Sequence, residues 1–168
     1  MKKLLSYLTI IVIVLIPFTF YSCGTMYGVK GTEDARNFER IGEFPNVSKG
    51  DLYIRANSWF VATFVSAESV IEFNDKESGK IMGKFTYEYG EGVYTYRVRQ
   101  VISVDIKDGK IRFIVNDPYY RVTSGAGRYY SNTPYNPLVT KTGIEKATVE
   151  WNKLYQSFVD YVNKDTSW

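Results

Sequence analysis

Residues 80–116 read KIMGKFTYEYGEGVYTYRVRQVISVDIKDGKIRFIVN, and this stretch decides the fold. Ile81, Gly83, Phe85, Tyr87 and Tyr89 fall on one side of a first run, Lys80–Tyr89. Tyr94, Tyr96, Val98, Ile102, Val104 and Ile106 fall on one side of a second, Tyr94–Ile106. A period of two is the mark of a strand with one buried face. Gly90-Glu-Gly92 turns the chain between these runs, and Asp108-Gly109 separates the second from a third, Ile111–Asn116. Asp-Gly between alternating runs is a strong hairpin signal, because both residues tolerate positive φ. Hairpin links make neighbouring strands antiparallel, so the stretch predicts a meander. Its other side carries Lys84, Thr86, Glu88, Thr95, Arg97, Arg99, Ser103, Arg112 and Asn116 and is expected to face water.

Upstream, Asp75–Gly79 supplies a turn after a short strand, Ser69–Asn74. Ser48-Lys-Gly-Asp51 has the form of a capping box, which opens a helix running to about Ser66. Leu52, Ala56, Trp59, Phe60 and Thr63 share one face of that helix, while Ile54, Val61 and Val65 lie opposite. A helix apolar on two sides needs two covers, and the C-terminal helix is the candidate for the second. Asn37–Phe44 reads as a first strand ended by Pro45. Downstream, Pro118 is expected to end the last strand and residues 117–143 to form a long loop rich in Tyr, Gly and Pro. Thr142-Gly-Ile-Glu145 reads as a second capping box. It opens a helix to about Asn163 with Ile144, Ala147, Trp151, Leu154, Tyr155, Phe158 and Val162 on one face. The order β-α-β-β-β-β-α gives an α+β domain over residues 37–168, an antiparallel meander sheet with both helices packed on one face.

The N-terminus carries an address. Lys2-Lys3, the apolar run Leu4–Ile16, Pro17 and Ser22-Cys23-Gly24 have the layout of a secretory leader over residues 1–22. It resembles a bacterial lipoprotein signal, in which Cys23 would receive a diacylglycerol thioether before cleavage. Phe20 and Tyr21 stand where the commonest pattern has Leu and a small residue. The single Cys of the chain sits at the expected cleavage site, and lipidation explains it. An uncleaved membrane anchor is the competing reading of the same run. Residues 23–36 read as a Gly-rich tether. No acidic cluster follows Cys23 directly, so an outer-membrane lipoprotein facing the periplasm is expected rather than one on the cell surface.

Ser48-Lys-Gly-Asp-Leu-Tyr53 leading to Trp59, Asp75-Lys-Glu-Ser-Gly-Lys-Ile81 with Gly83-Lys84, and Ile106-Lys-Asp-Gly-Lys-Ile-Arg112 together resemble the family called domain of unknown function 4468. The resemblance covers roughly residues 38–117. It implies a TATA-binding-protein-like fold, a curved antiparallel sheet with helices on one side, in an exported bacterial protein. Its motifs are turns and core positions, and no catalytic residue comes with it.

Composition narrows the chemistry. The chain has no His, which removes the commonest general base and metal ligand. Its one Cys is assigned to the lipid. No Gly-x-Ser-x-Gly, Ser-x-x-Lys or phosphate-loop motif occurs; Ser124-Gly-Ala-Gly127 lacks the Lys a phosphate loop needs. No cofactor, no metal and no enzymatic activity are expected. Lys2 and Lys3 supply two of the net +3 charges, leaving about +1 for the rest. That balance and the export signal argue against a nucleic-acid partner.

Two binding surfaces remain. Lys84, Arg97, Arg99 and Arg112 on the open sheet face could pair with carboxylates or phosphates of an envelope protein partner. Tyr119, Tyr120, Tyr129, Tyr130 and Tyr135 in the 117–143 loop, with Arg121 and Arg128, have the composition of interface hot spots and of surfaces that stack on sugars. The first supports a non-enzymatic interaction module held to the membrane by lipid on Cys23; the alternative is a lipoprotein that binds a glycan or small ligand through the Tyr-rich loop.

Overall fold

The computed structural model describes residues 36–64 and 70–164. The leader, Cys23 and residues 24–35 of the tether lie outside them, as do residues 65–69, where the sequence predicts the end of the first helix. The elements run β1 (Phe38–Glu43), α1 (Lys49–Thr63), β2 (Val70–Asp75), β3 (Lys80–Glu91), β4 (Tyr94–Lys107), β5 (Lys110–Gly125), β6 (Arg128–Tyr129), β7 (Asn136–Pro137) and α2 (Lys141–Asn163). The antiparallel sheet has the order β1-β5-β4-β3-β2, with β6 and β7 added to the far half of β5. It is the expected α+β arrangement plus two short strands.

Ser48 caps α1 as the sequence predicts. Its hydroxyl oxygen accepts from the Asp51 N–H at 3.1 Å, which satisfies one of the helix's free donors. The neighbouring Asp108-Gly109 turn is tied to this cap: the Asp108 carboxylate accepts from the Lys49 N–H at 2.7 Å, and the Gly109 N–H donates to Val47 at 3.0 Å. Only Gly109 takes positive φ there, so Asp108 serves as an acceptor for the helix start rather than as a left-handed residue.

The core lies between the inner sheet face and the two helices. Trp59 of α1 is its centre, edge-on to Phe60, Phe64, Phe113 and Phe158 at ring-centroid distances of 5.2–6.2 Å. The Trp59 indole also donates to Ser157 Oγ on α2 at 3.2 Å, and Arg55 donates to the Val162 carbonyl, so the helices meet along this edge of α1. Ile54 and Val61 are 57% and 59% exposed: the second apolar stripe of α1 does not face α2 as expected.

Three further expectations are corrected. β5 does not end at Pro118 but continues to Gly125. Asp117 and Pro118 together face Gln100 in a β-bulge, and Asp117 takes φ 51°. Within the bulge Pro118 owes no ladder hydrogen bond. The segment after β5 is not one long loop: it runs back along the strand, held by the Tyr130 N–H to Thr123, the Thr133 hydroxyl to Val122, and the Leu138 N–H to Pro118. The cap of α2 is Thr140, not Thr142; its hydroxyl accepts from the Gly143 N–H at 3.3 Å.

Candidate functional site

The inner face of the sheet changes character along its strands. At the end near the β4–β5 turn, Ile81, Ile102, Val104, Ile106, Ile111 and Phe113 are buried under the helices. At the other end the same alternation continues with Tyr87, Tyr89, Tyr94, Tyr96 and Tyr120. There the sheet is met by the chain leading into α2 and by Lys146 in the first turns of that helix. A cavity of about 380 Å³ opens between them, lined by Tyr89, Glu91, Tyr96, Tyr120, Leu138, Thr140 and Thr142.

Strand register builds this pocket. Tyr89 and Tyr96 are directly opposed, and their rings stack with centroids 5.2 Å apart at 18°. Tyr120 continues the wall on the next strand, 5.9 Å from Tyr96 and tilted. Lys146 of α2 bridges to the hairpin. Its ammonium lies 3.4 Å from Glu91, 3.4 Å from the Gly90 carbonyl and 5.0 Å from the Tyr89 ring centre. Gly143 lets the chain enter α2 tightly, since a Cβ there would stand 2.7 Å from both Leu138 and Thr140 side chains.

Burial pushes the Tyr89 phenol up to about 12, with the charges of Glu91, Tyr96 and Tyr120 adding to the rise. Tyr96 is raised by burial first and by Glu91 next. Tyr87, deeper under α2, is raised further, again chiefly by burial, and its hydroxyl has no hydrogen-bond partner. The pocket presents three tyrosine rings with their hydroxyls, two threonine hydroxyls and one carboxylate. Such a lining can hold a flat-faced, polyhydroxylated ligand: rings against its C–H face, hydroxyls and Glu91 at its polar rim. Among the described residues no cluster of His, Cys, Asp or Glu could hold a metal ion.

The residues singled out from sequence are divided between the two faces. Lys84, Arg97 and Arg112 lie on the open face, each engaged by an acid: Lys84 by Glu72, Arg97 by Glu88 at 2.8 Å, Arg112 by Asp105 at 2.5 Å. Hydrogen bonding to Asp105 also raises the Arg112 guanidinium above its usual value. Arg99 and Arg121 instead stack on Tyr135, their guanidinium carbons 4.3 and 5.0 Å from its ring centre. Tyr119 lines a smaller groove of about 190 Å³ beside Arg99, Lys84 and Asp117. Tyr120 faces the pocket, Tyr129 stands 76% exposed at the sheet end, and Tyr130 is half-buried along β5. The five tyrosines thus do not form one surface. Tyr89 and Tyr96 are missing from the sequence-derived set, although Gly90-Glu-Gly92 is the turn that sets them opposite each other.

The architecture is an α+β domain of the TATA-binding-protein-like class. Residues 38–121 match the family described as "Domain of unknown function (DUF4468) with TBP-like fold", and the chain belongs to that family. A TBP-like protein from Parabacteroides distasonis is similar in structure, with a TM-score of 0.64 and 12% identity over 80% of this chain and 97% of that one. A DUF4468 family protein from Bacteroides ovatus has a TM-score of 0.60 and 17% identity over 84% of this chain and 96% of that one. At such identities the likeness is one of fold. No curated protein matches the sequence. The family match ends at Arg121 inside β5, so Leu138, Thr140 and Thr142 of the pocket lie beyond it.

Proposed function

We propose that this protein is a lipid-anchored component of the bacterial cell envelope, a non-enzymatic module that holds a sugar unit of a glycan in its tyrosine pocket. The observation that carries the reading is the stacked Tyr89–Tyr96 pair and Tyr120 facing a cavity rimmed by Glu91, Thr140 and Thr142. Its volume lies at the low end of the roughly 300–1,000 Å³ typical of small-molecule sites, which suits one or two rings. The single carboxylate of the lining is held by Lys146, an arrangement suited to binding rather than to paired acid–base work. A docking surface for an acidic protein partner on the open face is the weaker reading, because Glu88, Asp105 and Glu72 already answer Arg97, Arg112 and Lys84.

The envelope address rests on the leader and on Cys23. No helix among the described residues is long and apolar enough to cross a membrane. Cys23→Ala is expected to release the protein from membranes or leave it unprocessed; unchanged membrane retention at the processed mass contradicts a lipid anchor. For the pocket, the test is an array of neutral mono- and disaccharides probed with the purified protein and with Tyr96→Ala. Loss of one aromatic platform is expected to cost about 1–2 kcal/mol, or about tenfold in affinity. Binding of no saccharide, or equal binding by the variant, contradicts the proposal.

A further inference from the structure

The two most exposed large apolar side chains among the described residues, Tyr129 at 76% and Val93 at 66%, stand at the same end of the sheet, beside Tyr94 at 43%. Register brings them together: Tyr94 opposes Gly125, Tyr129 opposes Ser124, and the Ala126 N–H donates to the Val93 carbonyl at 3.3 Å. Two tight turns with positive φ at Gly92, Ala126 and Gly127 form this tip, and a Cβ on Gly92 or Gly127 would meet open space.

The direction of β1 bears on which end of the sheet lies nearer the anchor. β1 runs from Phe38 opposite Val115 to Glu43 opposite Lys110, so its first residue is the one nearer the Gly125 end of β5, the end that carries the tip. Residues 24–37 separate Cys23 from β1. At full extension such a segment reaches about 50 Å. We propose that Val93, Tyr94 and Tyr129 rest in the headgroup layer of the bilayer that holds the anchor, an inference that depends on the lipid anchor proposed above. Tyrosine favours this layer, where its ring is in an apolar setting and its hydroxyl is wet. Three side chains bind a bilayer weakly on their own. A covalent lipid raises their effective concentration at the surface, so a weak contact suffices to orient the domain. Arg128, directly after the second turn, adds attraction to anionic headgroups.

The test uses the full lipidated protein in vesicles of phosphatidylethanolamine and phosphatidylglycerol. The Cys23 thiol is consumed by the lipid, so Val93→Cys introduces the sole thiol for an environment-sensitive fluorophore; Lys107→Cys, at the opposite end of β4, is the control. Flotation reads the anchor, and quenching by bromine-labelled lipid reads the tip. In floated protein, a blue-shifted label at position 93 quenched several-fold more than the one at 107 is the expected result. Floated protein with equal quenching at both positions overturns the orientation alone, as it would if another protein covered the tip. Protein that does not float overturns the anchor and this inference with it.

Discussion

The two ends of one sheet are built from the same strands and the same alternation, yet they are covered differently. Near the β4–β5 turn, the inward positions are Ile81, Ile102, Val104, Ile106, Ile111 and Phe113, all sealed by α1 and α2. At the far end the inward positions include Tyr89, Tyr94, Tyr96 and Tyr120, which are only half-buried or, at Tyr94, exposed. Aliphatic residues stabilise only where something covers them, whereas tyrosine tolerates a half-covered place because its hydroxyl can stay wet. The change of residue type therefore marks where the sealed core stops and the half-covered tyrosine pocket begins.

The sharpest way to break this comparison is to remove a large side chain from the sealed end. Four aromatic rings would lose their common partner in Trp59→Ala. That substitution is expected to cost about 3–5 kcal/mol of stability, read from urea unfolding. Tyr96→Ala at the open end should cost far less. A result in which both substitutions are equally damaging would show that the tyrosines are ordinary core. Next in size is Gly79→Ala. Gly79 has φ 74°, and a Cβ there would stand 2.6 Å from the Ile106 carbonyl oxygen. The turn before β3 should be strained and about 2 kcal/mol lost, again read from urea unfolding.

The pH dependence sharpens the contrast without mutation. The Tyr89 phenol is raised from 10.0 to about 12 in the folded protein, so the folded state favours its neutral form. The stability this contributes is fully present below pH 10.0 and is lost as pH rises toward about 12. Ultraviolet titration of the tyrosinate band should accordingly show phenols ionising late, and Tyr89→Phe should remove part of that late phase. The smallest expected effect is that of Lys146→Ala, whose ion pair with Glu91 is partly exposed. Stability should move by no more than about 0.5 kcal/mol. Saccharide affinity should fall, because the hairpin wall is no longer held.

Much of this was legible from the residues. The alternation over 80–116, the Ser48 cap and the apolar face of α2 placed the meander and both helices, because period and capping are local properties. Pro118 misled for a physical reason: a proline stops a regular ladder, but the bulge formed with Asp117 removes the demand for its missing N–H. Ile54 and Val61 misled because periodicity counts apolar positions and cannot say whether anything covers them. The pocket escaped notice for a related reason. Tyr89 and Tyr96 could be placed on the inner face, yet where the helical cover ends is a tertiary fact set by Leu138, Gly143 and the Thr140 cap. Glu88 is legible in the sequence as a charge that balances the open-face arginines, but which acid answers which base, Glu72 and Asp105 included, is assigned only by cross-strand register.

The most direct test of the pocket is an aromatic-ring nuclear magnetic resonance spectrum of the protein during addition of the saccharide that binds best on the array. The account predicts that ring signals of Tyr89, Tyr96 and Tyr120 shift with saccharide concentration while those of Tyr119 and Tyr135, on the opposite face, stay in place. Shifts confined to Tyr119 and Tyr135 would move the binding surface to the open face and contradict the account.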